Sequence, residues 1–329
     1  MVHSYKTLSQ LRLLLPLRFS LLLLLSSVYT VADKYFINCG ASSNASFYNN
    51  SQDFVPDINS NFPCFSTGKS EQVSNTSASI QELYQTARVY RQPCSYSFEI
   101  EQNGTYIVRL HFFAYLSRVA NLYDALFNVS ASGFSLLTNF SIRNSSGSPV
   151  IKEFFLTIPQ GEFKIHFIPS QDSSLAFVNA IEVFLADETR ITDNVTRVTS
   201  AGNVGNYKGL LSQSQVLHTI HRINFGGSQN EFDDLWRNWV LDDSYLILNR
   251  DSAKNSTPHS QTPNYDPARA TKYTAPDRVY QTAKQLKEVS GNNASLLNLT
   301  WRFPVSKNTR HFVRVHFCDI MILDLRILV

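Results

Sequence analysis

The chain has 329 residues, 43% hydrophobic and 17% charged, with 29 Lys plus Arg against 26 Asp plus Glu. Three of the cations, Lys6, Arg12 and Arg18, fall in residues 1–32, which hold no acid, so the remainder carries 26 against 26 and is neutral. A neutral chain with dispersed cations lacks the basic footprint needed to bind a phosphate backbone, which excludes nucleic acid as a partner.

Residues 1–32 have the order of a secretory signal peptide: cations, the apolar run Phe19 to Leu25, then the small-residue exit Thr30-Val31-Ala32. Cleavage after Ala32 leaves Asp33 as the mature N-terminus. The apolar run is far shorter than the roughly 20 residues of a spanning helix, and no later segment is more apolar. The chain is therefore expected to be secreted or lumenal, and at the plasma membrane if it is part of a longer receptor. Eleven glycosylation sequons begin at Asn44, Asn49, Asn75, Asn103, Asn128, Asn139, Asn144, Asn194, Asn255, Asn293 and Asn298, against roughly five expected by chance. The four cysteines, Cys39, Cys64, Cys94 and Cys318, follow no zinc spacing. A Cys64–Cys94 disulfide is preferred, because each lies beside a proline in an expected loop. Free buried thiols are the alternative.

From residue 33 the periodicity is that of strands. In Cys94 to Glu101, Tyr96, Phe98 and Ile100 alternate with polar residues, and in Tyr106 to Phe112 the inward set is Tyr106, Val108, Leu110 and Phe112. The pattern returns in Ala125, Phe127, Val129 and Ala131, then in Phe163, Ile165 and Phe167, with turn residues between the runs. A first unit ends in a strand over Leu175 to Leu185, near Asp187. Short alternating strands of this kind predict two packed antiparallel sheets. The Gly-containing stretch 188–217 reads as a linker with some local structure.

The beginning of the chain then recurs. Tyr35-Phe-Ile-Asn-Cys-Gly40 is echoed by His221-Arg-Ile-Asn-Phe-Gly226, Tyr84-Gln-Thr-Ala87 by Tyr280-Gln-Thr-Ala283, and Val108-Arg-Leu-His-Phe112 by Val313-Arg-Val-His-Phe317. The offsets of 186, 196 and 205 residues keep the order while loops lengthen. Two tandem copies of one unit follow, the second over 218–329 and incomplete, because only twelve residues follow Phe317. The expectation is a fragment of a longer chain or a truncated product, with Val313, Val315 and Phe317 left without partner strands.

Lys34-Tyr-Phe-Ile-Asn-Cys-Gly40, Tyr84-Gln-Thr-Ala-Arg88, Phe177-Val-Asn-Ala-Ile-Glu-Val183 and Leu296-Leu-Asn-Leu-Thr-Trp-Arg-Phe-Pro-Val305 closely resemble the ectodomain of plant malectin-like receptor kinases, the Catharanthus roseus-type family. The resemblance spans nearly all of the mature chain. It implies an all-β fold of tandem malectin-like antiparallel β-sandwiches, jelly-roll-like, the second incomplete. It also implies a non-catalytic, extracellular ligand-binding segment with no cofactor, lacking the transmembrane helix and kinase of the family. The implied partners are a rapid alkalinization factor peptide with a GPI-anchored co-receptor, or a cell-wall oligosaccharide. A soluble lectin-like or decoy protein is the alternative.

By resemblance, the glucose-disaccharide site of animal malectin maps onto Tyr84 and Asp172, with Tyr115 and Tyr123 as further aromatics. The Tyr-Phe platform of animal malectin falls instead on Leu116-Ser117. Sugar recognition needs flat apolar rings and convergent polar groups in a concave site. The bland alternative makes Tyr84 a core residue and Asp172 a turn former, and the lost platform places the peptide role ahead of the sugar role.

Other chemistry is disfavoured. His111, His166 and His316 alternate with apolar neighbours and are expected to be solvated, and His218 and His221 have no third ligand nearby. A glycosidase needs two carboxylates about 5–10 Å apart. The adjacent pairs Asp233-Asp234 and Asp242-Asp243 are poorly placed for that, since neighbours on a strand point to opposite faces. Asp233-Asp-Leu-Trp-Arg-Asn-Trp239 offers a protein-binding anchor or, more simply, core or inter-domain packing, with the two tryptophans sharing one face of a helical turn.

Overall fold

A computed structural model describes residues 34–47, 52–58, 64–67, 69–75, 77, 79–143, 145, 147–170, 174–186, 194–199, 201–233, 235–248, 250–265, 270–271, 274–287, 298–307, 309–320 and 326–328. The strands of the first half are β1 (Lys34–Asn38), β2 (Ala45–Phe47), β3 (Gln52–Pro56), β4 (Cys64–Thr67), β5 (Ser70–Ser74), β6 (Thr86–Tyr90), β7 (Cys94–Ile100), β8 (Gly104–Phe112), β9 (Phe127–Ala131), β10 (Phe134–Phe140), β11 (Val150–Ile158), β12 (Gly161–Pro169), β13 (Ala176–Val178) and β14 (Ala180–Leu185). The remainder holds β15 (Asn194–Val198), β16 (Val204–Lys208), β17 (Val216–His218), β18 (Ile223–Asn224), β19 (Glu231–Phe232), β20 (Asn238–Leu241), β21 (Leu246–Leu248), β22 (Ala253–Asn255), β23 (Lys284–Leu286), β24 (Thr300–Trp301), β25 (Phe317–Asp319) and β26 (Arg326–Leu328).

A seven-stranded sheet, in the order β17-β11-β8-β14-β1-β3-β2, faces a five-stranded sheet, β10-β9-β12-β7-β4. The alternation read from the sequence builds the layer between them. Val108, Leu110 and Phe112 of β8 meet Tyr96 and Phe98 of β7, Phe127 and Val129 of β9, and Ile165 and Phe167 of β12 in one buried cluster. Pairing is antiparallel throughout this half, except that β1 runs parallel to β3.

The opposite face of the large sheet is buried too, which differs from the half-buried strands expected. Phe36, Phe54, Ile107, Phe155, Ala180 and Phe184 form a second apolar cluster there, capped by Phe47 and by Leu235 and Trp236 of the second half. The alternate residues of β8, Arg109 and His111, lie on this covered face and are buried. His111 is thus no solvated histidine, whereas His166 is exposed as expected.

The stretch 188–217 carries local structure. β15 and β16 form a hairpin, and β17 pairs with β11, so His218 sits opposite Phe154 at the edge of the first half's large sheet.

The repeat survives as matched contacts. Gly40 N–H donates to Asp57 Oδ1 (2.9 Å) and Gly226 N–H to Asp242 Oδ1 (3.0 Å). Thr86 donates to Asn38 Oδ1 (3.1 Å) and Thr282 to Asn224 Oδ1 (2.8 Å). Arg88 pairs with Asp57 at 2.7 Å, Lys284 with Asp242 at 3.3 Å. Both glycines are left-handed, with φ of 75° and 72°, and a Cβ on either would strike the carbonyl oxygen of Ala87 or Ala283. Only glycine tolerates that conformation and that approach together. The parallel pair β1–β3 is likewise echoed by β18–β20.

The second half diverges at its end. Residues 311–316 have no strand partner among the described residues, whereas Phe317, expected to lack one, pairs with Leu328 of β26. Val313 and Val315 are 74% and 52% exposed, where Val108 and Leu110 are fully buried, because the first half flanks β8 with β11 and β14 and faces it with a second sheet.

Candidate ligand-binding surface

The loop after β8 carries the residues to which the sequence pointed. Phe113 and Tyr115 turn inward, and an isolated bridge between Leu116 and Asn121 closes a tight tip. Ser117 fixes it: its hydroxyl donates to the Ala120 carbonyl (2.9 Å) and accepts from the Ala120 N–H (3.0 Å). Arg91 Nη2 donates to the Val119 carbonyl (3.0 Å). The tip therefore presents Leu116, 70% exposed, and Val119, 58% exposed, from a hydrogen-bonded frame, with Arg118 exposed between them.

The expected sugar-stacking aromatics lie beneath this tip, not on it. Tyr84 is 1% exposed and Tyr115 4%. Phe113 lies between them, with ring centroids 5.7 Å from Tyr84 and 6.4 Å from Tyr115. The Tyr115 hydroxyl donates to the Val73 carbonyl at 3.1 Å. Burial raises the pKa of both phenols, with Glu182 adding to the effect at Tyr84. Rings enclosed in this way offer no face to a pyranose, which corrects the assignment of Tyr84 and Tyr115 as a stacking platform. Tyr123 is half-buried against the main core, and Asp172 lies outside the described residues.

Below Tyr84 runs a buried polar network that sequence reasoning missed. Tyr84 Oη lies 3.0 Å from His111 Nδ1, and His111 Nε2 lies 2.6 Å from Glu182 Oε1. Arg109 donates from Nη1 to Glu182 Oε2 (2.9 Å) and from Nε to Glu153 Oε2 (2.8 Å). The other Glu153 oxygen accepts from Arg222 and from the Thr219 hydroxyl. Burial pushes the Glu153 carboxyl up, but Arg222 and Arg109 outweigh it and hold the group well below the usual carboxylate range. A signal was present: Arg and His at alternate positions of an apolar strand, with glutamates at the centres of two others. Among the described residues the second half repeats the top of the network, with Tyr280 Oη 2.9 Å from His316 Nδ1. His316 is accordingly half-buried, not solvated.

The remaining expectations divide. Asp242 is fully buried and engaged by Gly226, Trp301 and Lys284, and Asp233 is buried among Leu235, Arg237 and Trp239. Both have structural partners, and Asp234 lies outside the described residues. His221 packs on Tyr245 and Phe303, while the His218 ring stacks on Phe154. Trp236 and Trp239 share no helical face, since Trp236 packs toward the first half and Trp239 into the second. The preferred disulfide is not formed: Cys94 is a free, buried thiol, and the strand register sets Cys64 opposite Phe98, four residues along from Cys94. That offset is about 13 Å, beyond the reach of a disulfide. Among the sequons, Asn44, Asn103, Asn139, Asn255 and Asn298 are exposed and Asn75 and Asn128 half-buried. Asn49, Asn144 and Asn293 lie outside the described residues, and Asn194 is described only in its backbone.

The fold and its repeated contacts define an all-β protein built on a duplicated sandwich plan, and no helix among the described residues is long and apolar enough to cross a membrane. Residues 37–326 match the Malectin-like domain, and the chain belongs to that family. It is 36% identical over 310 residues to the receptor-like protein kinase THESEUS 1 of Arabidopsis thaliana, covering 92% of this chain and 35% of that protein. It is 31% identical over 326 residues to FERONIA of the same plant, covering 94% and 35%. The chain thus spans about a third of the length of the curated relatives it matches. Among solved structures, the receptor-like kinase FER superposes with a TM-score of 0.68 at 28% identity, over 88% of this chain and 74% of that one. FER in complex with the peptide RALF23 and LLG2 gives 0.70 at 27%, over the same shares. The ANX1 ectodomain of Arabidopsis thaliana, at 0.74 and 24% over 88% and 75%, shares the fold.

Proposed function

We propose that the chain is an extracellular, non-catalytic ligand-binding segment of a malectin-like receptor kinase, and that its ligand is a protein rather than a sugar. On this reading residues 1–32 are a cleaved signal, the sequons carry glycans, and units over about 33–187 and 218–329 are joined by the intervening hairpin. One observation carries the choice of ligand: the rings of Tyr84 and Tyr115 are enclosed, while the loop above them exposes aliphatic Leu116 and Val119. Aliphatic side chains on a rigid loop suit an apolar recess in a protein partner, and Arg118 between them suits an acidic rim. The complex of FER with RALF23 and LLG2 supports a peptide and a GPI-anchored co-receptor as the class of partner.

Titration calorimetry of the secreted chain against a rapid alkalinization factor peptide with its co-receptor, and against pectin-derived and glucose oligosaccharides, tests the reading. Binding of the peptide and co-receptor that is lost in Leu116→Asp/Val119→Asp is expected. Micromolar binding of a sugar alone, abolished by Tyr84→Ala, would reverse it.

A further inference from the structure

The turn between Phe232 and Arg237 holds a bulky residue where the backbone disfavours one. Trp236 has φ of +57°, a left-handed conformation that is a rare outlier for a large side chain. Buried Asp233 imposes it. Its Oδ1 accepts the N–H groups of Leu235 (3.0 Å) and Arg237 (3.1 Å), and its carbonyl accepts the Trp236 N–H (2.7 Å). Its Oδ2 accepts from Arg237 Nε (2.6 Å) and Trp239 Nε1 (2.9 Å). The turn divides its residues in two directions. Trp239 goes back among Ala270, Val279 and Tyr280 of the second half. Leu235 and Trp236 go forward onto the back face of the first half's large sheet, where the Trp236 ring meets Phe36 edge-on at 6.0 Å.

A second contact reaches the same face. The Thr219 N–H donates to the Glu153 carbonyl (2.9 Å), its hydroxyl to Glu153 Oε1 (2.9 Å), and Arg222 pairs with that same oxygen. The Arg222 carbonyl in turn accepts the Val240 N–H (2.9 Å), tying the contact to β20 of the second half. Backbone strain kept at a residue whose ring serves another part of the molecule points to a role for that ring.

We infer that the Asp233 turn is a latch between the two halves: Leu235 and Trp236 seat in the back face of the large sheet, Arg222 seats on Glu153, and together they hold the second half in one orientation. Intact, the latch makes the halves unfold together; removed, it lets them move and melt separately while the first half stays folded.

The full secreted chain carrying Trp236→Ala, Arg222→Ala or both tests this by scanning calorimetry, small-angle X-ray scattering and limited proteolysis. The wild type is expected to melt in one transition. The double variant is expected to show two transitions, a larger radius of gyration and roughly tenfold or faster cleavage within 209–222, the scale expected when a buried aromatic contact is lost. Trp236→Phe in the Arg222 wild-type background should restore the single transition. One transition with an unchanged radius in the double variant would overturn the inference. So would loss of all β circular dichroism in Trp236→Ala, since the contact would then belong to one shared core.

Discussion

Replacing Glu182 with alanine probes the buried network where its charge balance is most exposed to error. Glu182 is fully buried, and its two oxygens serve His111 at 2.6 Å and Arg109 at 2.9 Å. Without it, Arg109 and Arg222 are left to share the single carboxylate of Glu153, and His111 Nε2 loses its partner. Breaking a buried ion pair from one side costs about 3–5 kcal/mol, because the surviving charge remains out of water. Glu182→Gln keeps one acceptor oxygen, for Arg109, while its amide NH2 can donate to an unprotonated His111 Nε2, and should cost less. At about 2–4 °C per kcal/mol for a unit of this size, the alanine variant should melt roughly 6–20 °C lower. Urea denaturation of the secreted chain at neutral pH reads both variants, and a change below about 1 kcal/mol for Glu182→Ala would refute the charge balance described here.

Gly40→Ala introduces both a disfavoured φ and a collision with the Ala87 carbonyl, and should cost about 2–4 kcal/mol; Gly133→Ala shares the positive φ but meets open space, and should cost about 1 kcal/mol by the same denaturation assay. Burial, Arg314 and Arg237 lower the His316 pKa to about 3. Below the unfolded value of about 6.5 the unfolded chain therefore takes up a proton that the folded one refuses, so stability falls as the pH drops toward 3, by about 2 kcal/mol at pH 5. His316→Asn should flatten that slope in melts recorded between pH 5 and 7.5. Glu153 acts in the same direction lower down, since its depressed pKa gives stability that is present above about pH 4.3 and is lost in stronger acid. Thiol labelling in denaturant without reductant should find Cys94 reactive, and a blocked Cys94 linked to Cys64 in peptide mapping would contradict the strand register.

The parts of the fold set by local chemistry were legible in the sequence. Val108, Leu110 and Phe112 alternate because one face of β8 meets a second sheet, and Asn38, Gly40 and Thr86 recur as Asn224, Gly226 and Thr282 because one glycine-dependent clasp is built twice. Periodicity fails where a polar residue is buried by distant chain. His111 reads as solvated, but Glu182, Phe54 and Trp236 come from segments up to about 130 residues away to cover its face of the sheet, where Glu153 meets Arg109. The addition of β17 to the large sheet is likewise a long-range pairing with no local mark. At the candidate site, the loss of an aromatic pair at Leu116-Ser117 was visible in the residues. The enclosure of Tyr84 and Tyr115 was not, because a tyrosine beside a turn looks the same whether its ring faces solvent or Phe113.

The most direct test of the protein-binding reading is the affinity of the secreted chain for a rapid alkalinization factor peptide presented with its GPI-anchored co-receptor, measured for wild type and for Leu116→Asp/Val119→Asp. The account predicts binding to the wild type and at least a tenfold loss in the variant, with the circular dichroism spectrum and melting temperature unchanged because both side chains are exposed. Equal affinity in the two proteins would contradict it.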